Sequence, residues 1–425
     1  MQVSNGTNAP TSESNGPFTL PAADAVASGG SYSITVGTVS GSNQSCAVQS
    51  GTGSGMVMSA KVSSVVIYCT YIVSKATLSG SYDYAGFTFD ATDGEDLLFI
   101  GNSFDGAGNE GTTATVITDL DGTITSATNS TDSAGPYTVT TNANAIPVLT
   151  TGGNNVGAIA GADHDEFFWL ADATSANGGG LPALAVGVNP LTTATLSSIV
   201  GNWTVVSETY FQLPGSTNNP VSEDEATIEG TATVNADGSG SATLTLLTLA
   251  DSETSKNPTH PAGTFSVTNG QFSNGSGELG YISANGELMV ATTAAPQGSA
   301  SNTPPELAVY LQQGSGVTLA TLNGVYAVGT LFYTSYTTAV ADGKVFTLFF
   351  DGAGNFNGTY LDSTNNTFTT GTASGTYTVT SAGLLTITFA DGTVVNGGVT
   401  QDGNILAVAS VTQGQNPGIA FGLRQ

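Results

Sequence analysis

A chain of 425 residues with five Lys+Arg against 32 Asp+Glu, a formal net charge of −27, exceeds what one core holds and suits about three domains of roughly 100–150 residues. Charged residues make up only 9% of it, against an ordinary share of about 25%, so the anomaly is missing cations rather than surplus acids. That negative field argues against nucleic acid and anionic membranes as partners, since both need basic patches, and no run of about 18 apolar residues marks a membrane span.

The apolar residues are mostly Val, Leu, Ile, Phe and Tyr in short runs among Gly, Thr, Ser and Asn. Such β-branched and aromatic side chains suit a pleated, half-buried surface, and no long segment shows i, i+3, i+4 spacing. The expected fold class is all-β.

Residues 1–75 read differently from the rest. Phe18-Thr19-Leu20 is followed by Gly30-Ser31-Tyr32-Ser33-Ile34-Thr35-Val36, then Cys46-Ala47-Val48, then Val62-Ser63-Ser64-Val65-Val66-Ile67-Tyr68-Cys69. Tyr32, Ile34 and Val36 alternate with Ser33 and Thr35, the pattern of a half-buried strand. Cys46 and Cys69 are the only cysteines. A disulfide closing their 20-odd-residue loop stabilises a small module by roughly 3 kcal/mol and implies an oxidising compartment; the alternative is two unpaired buried thiols. Met1-Gln2-Val3-Ser4 lacks the charged and apolar regions of a signal peptide, so a leader removed from a secreted or cell-surface protein is expected.

These segments together resemble a small disulfide-bonded Ig-like module of bacterial secreted and surface proteins, which recurs ahead of larger β domains. The resemblance implies one or two further strands before Gln2-Val3-Ser4-Asn5-Gly6, so the module is expected to be incomplete. Two readings stay open: a chain boundary, or an open sheet edge that takes a strand from a neighbouring chain. The second makes self-association through this module the expected partnership.

Beyond it, four landmarks recur three times in the same order. Gly80-Ser81-Tyr82, Gly201-Asn202-Trp203 and Gly324-Val325-Tyr326 open the copies. Turns follow at Asp105-Gly106-Ala107-Gly108-Asn109, Asn235-Ala236-Asp237-Gly238 and Asp351-Gly352-Ala353-Gly354-Asn355. Next come Gly135-Pro136-Tyr137, Gly263-Thr264-Phe265 and Gly375-Thr376-Tyr377, and each copy closes on Pro-x-aliphatic-Ala at Pro182, Pro305 and Pro417. Asp-Gly and Asn-Gly pairs supply the backbone that tight hairpins need. Residues 76–190, 191–316 and 317–425 are therefore expected to form three tandem antiparallel meanders, as β-barrels or β-sandwiches. The layout is similar to calycin-type barrels, the lipocalin and avidin group, which also open on Gly-x-Trp or Gly-x-Tyr; it implies no particular ligand. Short linkers such as Asn189-Pro190-Leu191-Thr192-Thr193 suggest a semi-rigid rod of beads.

Candidate sites are few. His164 reads as a turn residue, and His260 lies in Asn257-Pro258-Thr259-His260-Pro261, read as a loop insertion. No Gly-x-Ser-x-Gly elbow is present. Oxygen-rich Asp93-Gly94-Glu95-Asp96 and Asp119-Leu120-Asp121-Gly122 offer Asp93, Asp96, Asp119 and Asp121 to Ca²⁺, without the later ligands of an EF-hand loop, so no cofactor is expected and calcium is the one to consider. Phe332, Tyr333 and Tyr336 are candidate platforms for a ligand or glycan, or else barrel lining. The chain is expected to be a non-enzymatic extracellular structural or adhesive protein of a bacterium, a surface stalk or filament subunit assembled by inter-subunit strand complementation. The alternative is an extracellular small-ligand or glycan-binding protein using its barrel domains.

Overall fold

The computed structural model describes residues 2–6, 11–12, 19, 25–37, 44–48, 52–58, 62, 65, 67–89, 94–111, 115–120, 123–128, 136–141, 147–151, 155–159, 166–171, 183–212, 223–248, 254–260, 264–274, 278–292, 306–335, 340–364, 367–412 and 416–425. Among them there are strands and short 3-10 turns and no α-helix.

In the N-terminal module Gln2–Asn5 pairs with Thr11–Ser12 on one side and Ser31–Val36 on the other, and Ser54–Met56 lies beyond Ser31–Val36. The first strand is thus internal to its sheet, with Val3 buried. Tyr32, Ile34 and Val36 are half-buried while Ser31, Ser33 and Thr35 are exposed, as the alternation requires. A separate ladder joins Gln44–Val48 to Ile67–Tyr71 and sets Cys46 opposite Cys69, where the two form a disulfide.

The first repeat is a nine-stranded antiparallel sheet running from Ser79–Phe89 to Ala183–Val188. Its first and last strands pair at the centre, and Thr123–Thr128 and Thr138–Thr141 form its two edges. The second repeat follows the same plan from Gly201–Gln212 to Glu306–Gln312, with Thr254–His260 and Ser266–Thr268 at the edges. In the third, one strand does the work of both edges: Thr367–Val379 pairs with Asn355–Thr364 as far as Thr376 and with Leu384–Phe389 from Gly375 onward. Its eight strands close into a barrel. The segment around His260 is a correction to the loop expected there. Thr254–His260 is a strand paired with Gly240–Thr248, and Pro258 falls in a register irregularity, where no ladder N–H is demanded of it.

Each repeat begins the same way for a backbone reason. A 3-10 turn (Lys75–Thr77, Leu196–Ser198, Leu319–Thr321) runs into the opening glycine, whose φ is +122° at Gly80, +143° at Gly201 and +123° at Gly324, a region that only glycine enters cheaply. The aromatic two residues on, Tyr82, Trp203 or Tyr326, is then buried inside its own repeat. Turn carbonyls left over at this end need donors. Tyr137 Oη donates to Lys75 O at 2.9 Å and Leu78 O at 2.8 Å, and Tyr377 Oη donates to Leu319 O at 3.1 Å and Leu322 O at 2.9 Å. The second repeat has Phe265 there, and Trp203 Nε1 donates to Ile199 O at 2.8 Å instead. Trp203→Tyr is therefore expected to lower stability by about 1–3 kcal/mol by stranding that carbonyl. Adding Phe265→Tyr should recover most of the loss in urea titrations, and an equal loss in the double variant would refute the substitution of one donor for the other.

The repeats do not form a rod. Three buried clusters each centre on one repeat, around Tyr82 and Phe167, around Trp203 and Met289, and around Tyr326 and Phe350, the first also taking in Val73 from the end of the N-terminal module. A fourth draws from all three, including Phe168 and Val186 from the first, Val290 and Val309 from the second, and Ala407 and Phe421 from the third. The closing strands explain it. In Ala183–Val188, Glu306–Gln312 and Gly418–Arg424 nearly every residue is buried, so alternate side chains fill the repeat's own interior and the opposite face packs against the other repeats. Phe168 stands edge-on to Phe421 at 6.2 Å, and a Cβ on Gly329 would lie 2.5 Å from its ring. Thr204 sits close on Gly398, where an added Cβ would lie 2.9 Å away. Between the first two repeats, burial and then the charge of Asp83 push the Tyr281 phenol upward.

Candidate functional site

The interiors are filled mainly by their own side chains. In the third repeat Tyr326 meets Phe350 edge-on at 5.2 Å and Phe350 meets Tyr377 at 5.1 Å. In the first, Phe104, Tyr137, Phe167 and Tyr82 form a similar set with centroids 5.4–5.6 Å apart. Polar chemistry enters at particular places.

The second repeat holds the most developed polar group. Trp203 and Val205 point inward and Val206 outward, so Ser207 and Thr209 continue the inward row; both are buried. On the adjacent closing strand Ala308 and Tyr310 point inward. Tyr310 Oη donates to Glu278 Oε2, and the Glu278 N–H donates to Asn274 Oδ1 at 3.1 Å. Burial raises the Glu278 carboxyl, with the Tyr310 and Asn274 hydrogen bonds pulling it back. Burial likewise raises the Tyr310 phenol, reinforced by the charges of Glu278 and Glu306. Phe272 lies edge-on to Tyr310 at 5.9 Å and covers Gly280. Ser207 Oγ, wholly buried, has no hydrogen-bond partner among the described residues. Its counterpart in the third repeat, Thr330, donates to Lys344 O at 3.3 Å.

The first repeat carries a smaller version. Burial pushes the Glu110 carboxyl up to about 7 against the opposing pull of the Asn102 amide, and Glu110 in turn adds to the upward shift that burial gives Tyr84. The third repeat instead places a cation: Lys344 Nζ lies 5.6 Å from the centroid of Tyr360.

Of the residues singled out in the sequence, Cys46 and Cys69 are joined. Asp96 and Asp119 are backbone partners in register on neighbouring strands; Asp93 and Asp121 lie outside the described residues, and among the described residues no group of three or more His, Cys, Asp or Glu is placed to hold a metal. Phe332 is half-buried, with its ring over Gly418. The backbone of Tyr333 belongs to the strand Asn323–Ser335, while Tyr336 and His164 lie outside the described residues. Sequence reasoning missed Glu278, Tyr310 and Ser207. The available signal was Tyr310 itself, a large side chain where the other closing strands have Gly187 and Gly422.

No family model matches the chain, and no curated protein matches it in sequence. Among solved structures it is similar to a DUF3598-family protein of unknown function from Nostoc punctiforme, at 13% identity and a TM-score of 0.17, over 54% of this chain and 97% of that one. A TM-score of that size assigns neither a fold nor a function.

Proposed function

We propose that the protein is a non-enzymatic extracellular structural or adhesive protein, a stalk or filament subunit whose three calycin-like repeats form a rigid body behind a small Ig-like module. The observation that carries this reading is the shared core: repeats filled by their own aromatics and locked to one another present a stiff unit rather than mobile binding modules. The Cys46–Cys69 disulfide supports an oxidising location. The outer strand Ser54–Met56 is exposed along its length, with Met56 59% and Met58 71% exposed, and is the edge proposed to pair with another copy. Light scattering and negative-stain microscopy of the full chain should show concentration-dependent chains that Met56→Lys with Met58→Lys abolishes. Monodisperse monomers at all concentrations would sink the filament. A second reading, binding of a small ligand or glycan, is favoured by the polar group around Glu278 and Ser207.

A further inference from the structure

We propose that the seam between the second and third repeats is a pH-sensitive latch, closed in acidic solution and opened as Glu208 and Glu229 on its docking face ionise. The latch rests on the packing of the repeats alone, so it stands or falls apart from the filament reading above. The repeats dock in a ring. Ser79–Phe89 and Gly94–Asp105 of the first touch Leu288–Thr292 and Glu306–Gln312 of the second. Gly201–Gln212 and Glu223–Val234 of the second touch Val394–Val399, Ile405–Ser410 and Gly418–Arg424 of the third. Asn323–Ser335 of the third returns to Glu166–Ala171 and Ala183–Val188 of the first. Each seam sets opening strands against closing strands, so equivalent positions can be compared. Counted from the opening glycine, Glu208 stands where the first repeat has Phe87 and the third Leu331, both buried in the shared core. Glu229 pairs with Val206 as Val345, packed against that core, pairs with Gly329. The second repeat thus carries acids at two places that the third fills with aliphatic side chains.

Val206 belongs to the shared core, so Glu208 two residues on and Glu229 opposite Val206 face the same way. Glu208 is wholly buried, its Oε2 accepting from Thr227 Oγ1 at 2.8 Å. Glu229 is half-buried, and burial raises its carboxyl. The strands that meet them bring little charge. Val394–Val399 and Ile405–Ser410 carry none, and Gly418–Arg424 carries only Arg424, whose guanidinium lies beside Gly324 in its own repeat. Within the second repeat Gly240–Thr248 carries none, and Glu306 follows the inward row of Ala308 and Tyr310. Lys256 is in register with Glu229 through Thr245, two ladder spacings or about 10 Å away. The side chains of Lys256, of Glu223, Asp224 and Glu225, and of Glu95 and Asp96 on Gly94–Asp105 lie outside the described residues. Gly94–Asp105 also touches Gly201–Gln212, and its Asp105 is held in its own turn. A carboxylate leaves water at a cost unless it is paired. Glu208 and Glu229 are also diagonal neighbours, roughly 7–8 Å apart, and repel once ionised. Docking therefore favours the neutral acids. For Glu229 that contribution is complete below its ordinary value of 4.5 and is lost as pH rises above it.

The test is thiol labelling of the full chain carrying Thr204→Cys or Ala327→Cys. Thr204 is seated against Gly398, and Ala327 holds the equivalent place on the seam between the third and first repeats. The ratio of the two labelling rates compares opening at the two seams and cancels the ionisation of the thiol itself. From pH 5 to pH 8 the ratio should rise about tenfold or more, the effect of a one-unit shift in one carboxyl. Adding Glu208→Gln with Glu229→Gln should hold it flat, because an amide does not ionise. Glu229→Gln alone, at a half-buried position, should lessen the rise and serves where the double variant does not fold. A ratio that stays constant overturns the latch. So does a rise that the amide variants leave unchanged, which would trace to the general repulsion of a negative chain.

Discussion

Truncating Phe168 to Ala is expected to cost about 3–5 kcal/mol, the range for an aromatic removed from a filled core. The size of the loss is informative because the ring belongs to the first repeat and its seat to the third, between Gly329 and Phe421. Gly329→Ala should by itself cost about 1–3 kcal/mol through overpacking, since the new methyl would lie 2.5 Å from Phe168 Cε2. Combined, the two substitutions should cost less than their sum, because the methyl then occupies space the ring has left. Urea titrations followed by fluorescence and by circular dichroism measure all four corners of this cycle. Additivity to within about 0.5 kcal/mol would mean that the repeats do not dock through this contact. Coupled repeats should also unfold in one transition, whereas independent beads would show several.

Stability is expected to fall as the pH rises from about 5 to about 8. Glu110, Glu229 and Glu278 are all held above their ordinary value, burial being the leading cause in each. A carboxyl whose folded pKa exceeds its unfolded one favours folding fully below the unfolded value and loses that contribution as pH rises through the folded one. For Glu110 the window runs from 4.5 to about 7. With five Lys+Arg in the whole chain, few buried carboxyls have a cation to offset desolvation. The turn aspartates act in the opposite direction. Asp105 is lowered to about 2 by the Asn109 N–H and side chain and by the Ala107 and Gly108 N–H groups, so its contribution is present above 3.8 and lost as pH falls through about 2. Urea midpoints across this range should therefore peak in mildly acidic solution. Glu110→Gln should flatten the slope between pH 5 and 8 relative to the parent, which separates Glu110 from the general repulsion of a negative chain. An unchanged slope would mean that its carboxyl ionises in the folded state as it does in water.

What the amino-acid sequence determined by itself was local and repetitive. Alternating Tyr32, Ile34 and Val36 specified a half-buried strand, Asp-Gly and Asn-Gly pairs specified hairpins, and the opening glycines marked a backbone conformation that side chains resist. These depend on a residue and its near neighbours, so they are legible in a string and recognisable when they recur. The docking of the repeats was present there too, as closing strands apolar on both faces, but a continuous apolar run does not say what covers its second face. Tertiary structure decided that the cover is the other two repeats, seated where Gly329 and Gly398 leave room for Phe168 and Thr204. It also decided the polar interior, since Ser207, Glu278 and Tyr310 are far apart in the chain and acquire common chemistry only when the sheet curls. Whether a serine is surface-solvated or a buried hydroxyl in need of a partner is set by enclosure, and enclosure is a property of the folded whole.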